Sequence, residues 1–303
     1  MNRHATLRYS LPELLPYINW LYFFHAWGFG PKWAETARVA ADPAARRAWL
    51  GRQAAAEVEQ AQACLQLYDE AISMLNALSD PPAEFGTIGR CILFDVRTDS
   101  DDICCQTDCG EVRLPCLRQQ AHGSGPDGTY LSLADYLNPN GDTLGVFATT
   151  VDAKIETLYA GDPYRHMLVQ LLCDRLAEAT AEKMHQYVRT TLWGYAPHET
   201  LPPEALFAEQ YQGIRPAVGY PSLPDQSINF VIDRLIGLHE LGITLTETGA
   251  MRPHASVSGL MIAHPQASYF SIGPIGLDQL ADYARRRNMP VATLRKFLNK
   301  NLM

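Results

Sequence analysis

Residues 88–120 read as strand, tight turn and strand, with the turn at Asp108–Gly110. Strands joined so closely pair antiparallel, because parallel neighbours need a crossover connection of a dozen or more residues. This hairpin follows a long stretch of another kind. Residues 10–80 are rich in Ala, Leu, Glu and Gln at helical spacing. LGVFATTVD at 144–152 is a short apolar strand or the start of a helix. The clearest helix is expected over 162–192, with Asp162 as its N-cap and Pro163 as its first residue. A short acidic helix near 203–210 and a helix in SINFVIDRLIGLHELG, stopped by Gly242, come next. ITLTET, ASVSGLMIAHP and SYFSIGPI read as strands, and two short helices around Asn288–Pro290 close the chain. The expected fold is α+β: a twisted, mainly antiparallel sheet flanked by helices. A helical part over 1–80 and an α+β core over 88–303 would form one domain spanning 1–303, since no repeat or linker-like composition shift divides it.

Composition narrows the partners. With 303 residues, 47% hydrophobic and 19% charged, there is ample chain for a sizeable core. A formal charge of −8 argues against general affinity for nucleic acid or an anionic membrane. For the same reason Arg285, Arg286 and Arg287 in the last helices are not read as a DNA-binding patch. The longest apolar run, LLPYINWLYFFHAWGFG, is broken by Pro16, Asn19 and His25 and is too short to span a bilayer. No secretory leader is visible, and seven scattered cysteines suit a reducing cytoplasm. Cys104, Cys105, Cys109 and Cys116 cluster, but without a CxxC pair. Half-buried hairpin cysteines are favoured there over a zinc site.

The segment YQGIRPAVGYPSLPDQ, 211–226, carries one Arg, three Pro and two Gly. A helix would not tolerate this composition, and a strand interior would not favour it. Arg215 in such a stiffened loop is suited to hold a carboxylate or phosphate through two parallel hydrogen bonds. A structural ion pair is the equally open alternative. Pro216 restricts the backbone, Gly219 permits close approach of main chain to a ligand, and Tyr220 could stack on a flat ring. Glu178 and Glu182 share with Leu171 one flank of the long helix. There they either meet a cationic ligand or form a solvated edge with Arg175. Tyr269 and Phe270 should face opposite ways, one of them into the core. Asn19, polar within an aromatic-rich helix, is a cap, a buried bridge or a ligand contact. No phosphate loop, dinucleotide fingerprint, HExxH or GxSxG is present, so the chain offers binding groups more readily than nucleophiles.

GIRPAVGYPSLPDQ, followed by LGITLTETGAMRPHASVSGLMIAHPQASYFSIGPIGLDQLADYARRRNM, resembles the C-terminal activation domain of cobalamin-dependent methionine synthase. WGYAPHE, DRLAEATAE, YINWLYFFHAWGFG and the Asp-Asp-Ile of the cysteine hairpin extend the likeness over nearly the whole chain. The resemblance implies binding of S-adenosylmethionine, which donates a methyl group when oxidised cobalamin is reductively restored. It places Arg215 on the ligand's carboxylate with Tyr269 assisting, and Glu178 at the cationic end. Ala217, Val218, Gly219 and Tyr220 would shape the loop against adenosine, and Asn19 would lie near the ammonium. In the family pattern an Asp stands where this chain has Asn19, and a Trp and a Gly stand where it has Arg252 and His254. No Asp-x-His-x-x-Gly cobalamin motif is present. The expectation is therefore a chain acting in trans on cobalamin-binding methionine synthase modules, with flavodoxin or a similar electron donor. A reactivator of another corrinoid methyltransferase, or a non-catalytic S-adenosylmethionine-binding module, is the alternative.

Overall fold

The computed structural model describes residues 3–81 and 85–303; residues 1–2 and 82–84, which the single-domain expectation spans, lie outside the described residues. Among the described residues there are eight strands: β1 (His4–Ser10), β2 (Gly86–Asp99), β3 (Asp102–Thr107), β4 (Gly110–Pro115), β5 (Asp142–Val151), β6 (Thr244–Leu245), β7 (Met251–Arg252) and β8 (Ser256–Met261). Six form one antiparallel sheet, five of them in the order β4-β3-β2-β5-β8 and the sixth, β1, paired to β2 off that path. The fourteen-residue β2 is long enough to carry two neighbours on one edge. β1 pairs with its first half and β3 with its last four residues. LGVFATTVD is thus strand, and the cysteine hairpin is β3–β4. Cys104, Cys105 and Cys116 are buried and Cys109 is exposed at the turn. No group among the described residues is arranged to hold a metal ion.

Alternation of side chains splits β2 and β5 between two cores. Ile88, Phe94, Val96, Leu144, Val146 and Ala148 point to one face. They pack there with the helix Asn229–Ile236 and the closing helices Leu277–Arg287 and Val291–Phe297. Cys91, Leu93, Phe147 and Val151 point to the other, under the helices Val58–Ser79 and Pro163–Tyr187. The long helix starts as expected: Asp162 accepts the Arg165 N–H at 3.1 Å. It is fixed to the sheet by small contacts. Thr149 donates to the Ala177 carbonyl at 3.0 Å, and Thr180 donates to Thr87 at 2.7 Å. Gly89 leaves room for Met184, whose sulfur would lie 2.9 Å from any added Cβ.

Several local expectations change. The first seven described residues after Arg3 form a strand, because the open edge of β2 gives their backbone a ladder. The helix in SINFVIDRLIGLHELG ends at Ile236. Gly237 caps it at φ 63°, and a separate 3₁₀ turn runs on to Gly242. ITLTET pairs only at Thr244–Leu245. SYFSIGPI forms no strand: the Phe270 N–H bonds Ser222 Oγ and the Ile272 N–H bonds the Pro221 carbonyl, so loop atoms replace a ladder. Arg286 pairs with Asp102 and Asp282, and Arg287 with Asp225 and Ser227, which commits these two to the fold; Arg285 makes only an exposed local pair with Asp282. No helix among the described residues is long and apolar enough to cross a membrane.

Candidate ligand-binding groove

The stiffened segment that holds Arg215 lies along the free edge of β8. Ile214 and Ile262 exchange both backbone hydrogen bonds at 2.9 and 3.0 Å; the Leu260 N–H bonds the Pro216 carbonyl at 3.0 Å, and the Val218 N–H the Ser258 carbonyl at 2.9 Å. This approach depends on Gly259. A Cβ there would run into the Pro216 carbonyl and sit 2.8 Å from Ala217 Cα. The rigidity expected from the Pro content therefore comes equally from sheet pairing.

Beside this segment runs a groove of about 810 Å³, walled by the long helix, the Asn19 region, the 206–211 turn and the 269–271 strip. Arg215, Glu178, Glu182, Tyr220, Tyr269, Asn19 and Ala217 all line it. Val218 and Gly219 do not. Val218 packs toward the opposite core, and Gly219 has open space around it. What Gly219 supplies is its φ of 88°, with its N–H on the Leu223 carbonyl at 2.9 Å, which turns Tyr220 toward the helix. Arg252 and His254 are absent from the groove wall. His254 is 89% exposed and lies 3.4 Å from Asp174.

Arg215 donates from Nη2 to Glu182 Oε2 at 3.2 Å, and both side chains are nearly sealed, at 12% and 11% exposure. Burial, the largest single influence, would depress the guanidinium's pKa; Glu182 together with Tyr269, Tyr211 and Glu178 outweighs it, and the net shift is upward. The Arg215 backbone N–H donates to the Tyr269 hydroxyl at 2.9 Å. Tyr269 is 38% exposed while Phe270 is buried, which is the opposed orientation expected of the pair. Tyr220, 53% exposed, donates its hydroxyl to Glu178 Oε1 at 2.8 Å. Burial, then the Glu178 charge, hold its phenol protonated well above the usual range. Asn19 caps the helix Trp20–Ala26, its Oδ1 accepting the Leu21 N–H at 3.2 Å. Arg175 pairs with neither acid; its guanidinium lies over the Tyr22 ring, 5.8 Å from the centroid.

Some lining residues were not marked in the sequence, Tyr22 and Glu209 among them. Glu209 follows the helix Pro203–Phe207 with φ 54°, a backbone twist uncommon outside glycine. Its carboxyl lines the groove, and burial raises its pKa despite Arg215 nearby. The groove thus offers two guanidiniums, Arg215 and Arg175, three carboxylates and exposed aromatic rings at its rim. That set is suited to a ligand bearing an anion and a cation on a flat, partly apolar body.

The family model for the vitamin B12 dependent methionine synthase activation domain matches residues 10–288. A crystal structure of the MetH reactivation domain bound to AdoHcy superposes with a TM-score of 0.83 at 34% sequence identity, over 99% of this chain and 90% of that one. With an α+β architecture shared along its length and the family pattern matched over most of its residues, the chain belongs to the vitamin B12 dependent methionine synthase activation domains.

Proposed function

We propose that the groove binds S-adenosylmethionine and presents its methyl group to a cobalamin carried by a separate protein module. The observation that carries this reading is the Arg215 constellation, in a family with a relative solved holding AdoHcy. The groove fits the ligand in volume and in charge. Its size lies within the usual range for small-molecule sites, about 300–1,000 Å³. Arg215, its main chain tied to Tyr269, would take the carboxylate. Glu178 and Glu209 would face the ammonium and sulfonium. A cation beside Glu209 would bring its raised pKa back down, which is the same coupling seen from the ligand's side. Tyr22 and Tyr220 stand exposed at the rim, where the adenine ring could lie flat.

When bound, S-adenosylmethionine supplies an activated methyl that a reduced cobalt centre can accept as nucleophile. The chain's own part is positioning. It fixes the carboxylate end deep against Arg215 and leaves the other end at an open rim, reachable by a bulky corrin. No general base is required, because the step moves no proton, and none of the lining residues needs to act as a nucleophile. A docked cobalamin-binding module of methionine synthase, reduced by flavodoxin or a similar donor, would complete the reaction.

Isothermal titration with S-adenosylmethionine, beside Arg215→Ala, tests the reading. Micromolar binding by the wild type that disappears in the variant is the expected result. Equal binding by both proteins, or none by either, would remove the basis for it.

A further inference from the structure

Behind Arg215 lies a sealed polar seam that ligand contact alone does not explain. Glu178, Glu182, His185 and Arg189 follow one another at i, i+4, i+7 and i+11, on one side of the long helix and the turn of π-helix that extends it. Glu178 is engaged by Tyr220. Arg189 holds Glu199 through two hydrogen bonds of 2.8 and 2.6 Å and lies 4.1 Å from the centroid of the Tyr211 ring. His185 meets the same ring edge-on at 5.0 Å. Glu182 Oε1, Arg215 Nη1, Arg189 Nη1 and both ring nitrogens of His185 are buried without a hydrogen-bond partner in the chain.

Charge makes Glu182 the member on which Arg215 depends. Glu199 is taken up by Arg189, and His185 is held neutral by burial and by the two guanidiniums. Glu182 is the one carboxylate hydrogen-bonded to the Arg215 guanidinium among the described residues. A nearly buried guanidinium without a counter-charge would be strongly disfavoured where it stands and would turn toward water. We propose that Glu182 is a positioning residue for the ligand's carboxylate: its charge-assisted hydrogen bond pins Arg215 in the seam, so the guanidinium meets the carboxylate in one fixed orientation. The inference rests on the S-adenosylmethionine reading and deepens it.

The test separates the two ends of the ligand. S-Adenosylhomocysteine carries the carboxylate and ammonium; 5′-methylthioadenosine keeps the adenosine and thioether and lacks both. Kd values for the two are measured by titration for wild type, Glu182→Gln and Glu182→Asp. Glu182→Gln is expected to weaken S-adenosylhomocysteine about tenfold and to leave 5′-methylthioadenosine within roughly twofold. Glu182→Asp, which keeps the charge but withdraws it by one methylene, is expected to fall between, and it carries the test if Glu182→Gln fails to fold. Equal weakening of both ligands would show only a structural role and overturn the inference. Tighter S-adenosylhomocysteine binding in Glu182→Gln would also overturn it, because Glu182 would then be competing for Arg215 rather than aiming it. A wild type that binds neither ligand overturns the S-adenosylmethionine reading itself. The two failures are therefore distinguishable.

Discussion

At Asn19 one amide both closes a helix and faces the groove. Aspartate caps a helix as well as asparagine does, so Asn19→Asp should leave the cap intact while adding a negative charge to the wall. A charge-assisted hydrogen bond contributes about 1.5–3 kcal/mol against about 1 for a neutral one. The variant is expected to bind S-adenosylmethionine about fivefold more tightly, with an unchanged melting temperature. Titration showing equal or weaker binding would mean that this wall does not meet the ligand's cationic end. Residues at this scale were unequally legible. The Gly/Pro framing of Arg215 marked it as held, and the helical spacing put Glu178 and Glu182 on one flank. Nothing in the sequence showed that Glu182 would close on Arg215 from a distant segment. Glu209 read as one more acid on a short helix, since its role follows from a backbone twist after the helix ends.

Among the elements, the edge segment 214–218 depends most on a single side-chain-free position. Gly259→Ala adds a methyl where the Pro216 carbonyl and Ala217 Cα already stand. Overpacking of this kind costs about 1–3 kcal/mol, and here it is relieved by moving the Arg215 segment off β8. Urea unfolding should show a loss in that range, and S-adenosylmethionine affinity should fall by more than the loss of folded protein accounts for. A variant with wild-type affinity would show that the pairing with β8 does not set the position of Arg215. Elements with strong periodicity were legible, including the long helix, its Asp162 cap and the β3–β4 hairpin. Elements defined by a remote partner were not. His4–Ser10 is a strand because β2 offers an edge, and SYFSIGPI is not one because its N–H groups find loop oxygens first. A sequence pattern states what a segment can do with a ladder, not whether one is within reach.

For the molecule as a whole, the sheet keeps two cores apart, and the long helix carries charge through one of them. His185 sits fully buried in that layer, its pKa lowered first by burial and then by Arg189 and Arg215. The folded protein therefore resists protonation at a site that the unfolded chain protonates near the ordinary histidine value of about 6.5. The sign follows from linkage. Above that pH both states are neutral at His185 and stability is unaffected. As pH falls below it, the unfolded state binds a proton that the folded state refuses. Stability is lost at up to about 1.4 kcal/mol per pH unit until the folded-state pKa is reached. His185→Leu removes the titrating group while keeping an apolar body against Tyr211. Urea midpoints taken at about pH 7.5, 6.5 and 5.5 should fall less steeply in His185→Leu than in the wild type, even if the variant is less stable throughout. Parallel pH profiles would mean that His185 takes up its proton in the fold at the same pH as in the unfolded chain, so that burial beside Arg189 and Arg215 does not hold it neutral.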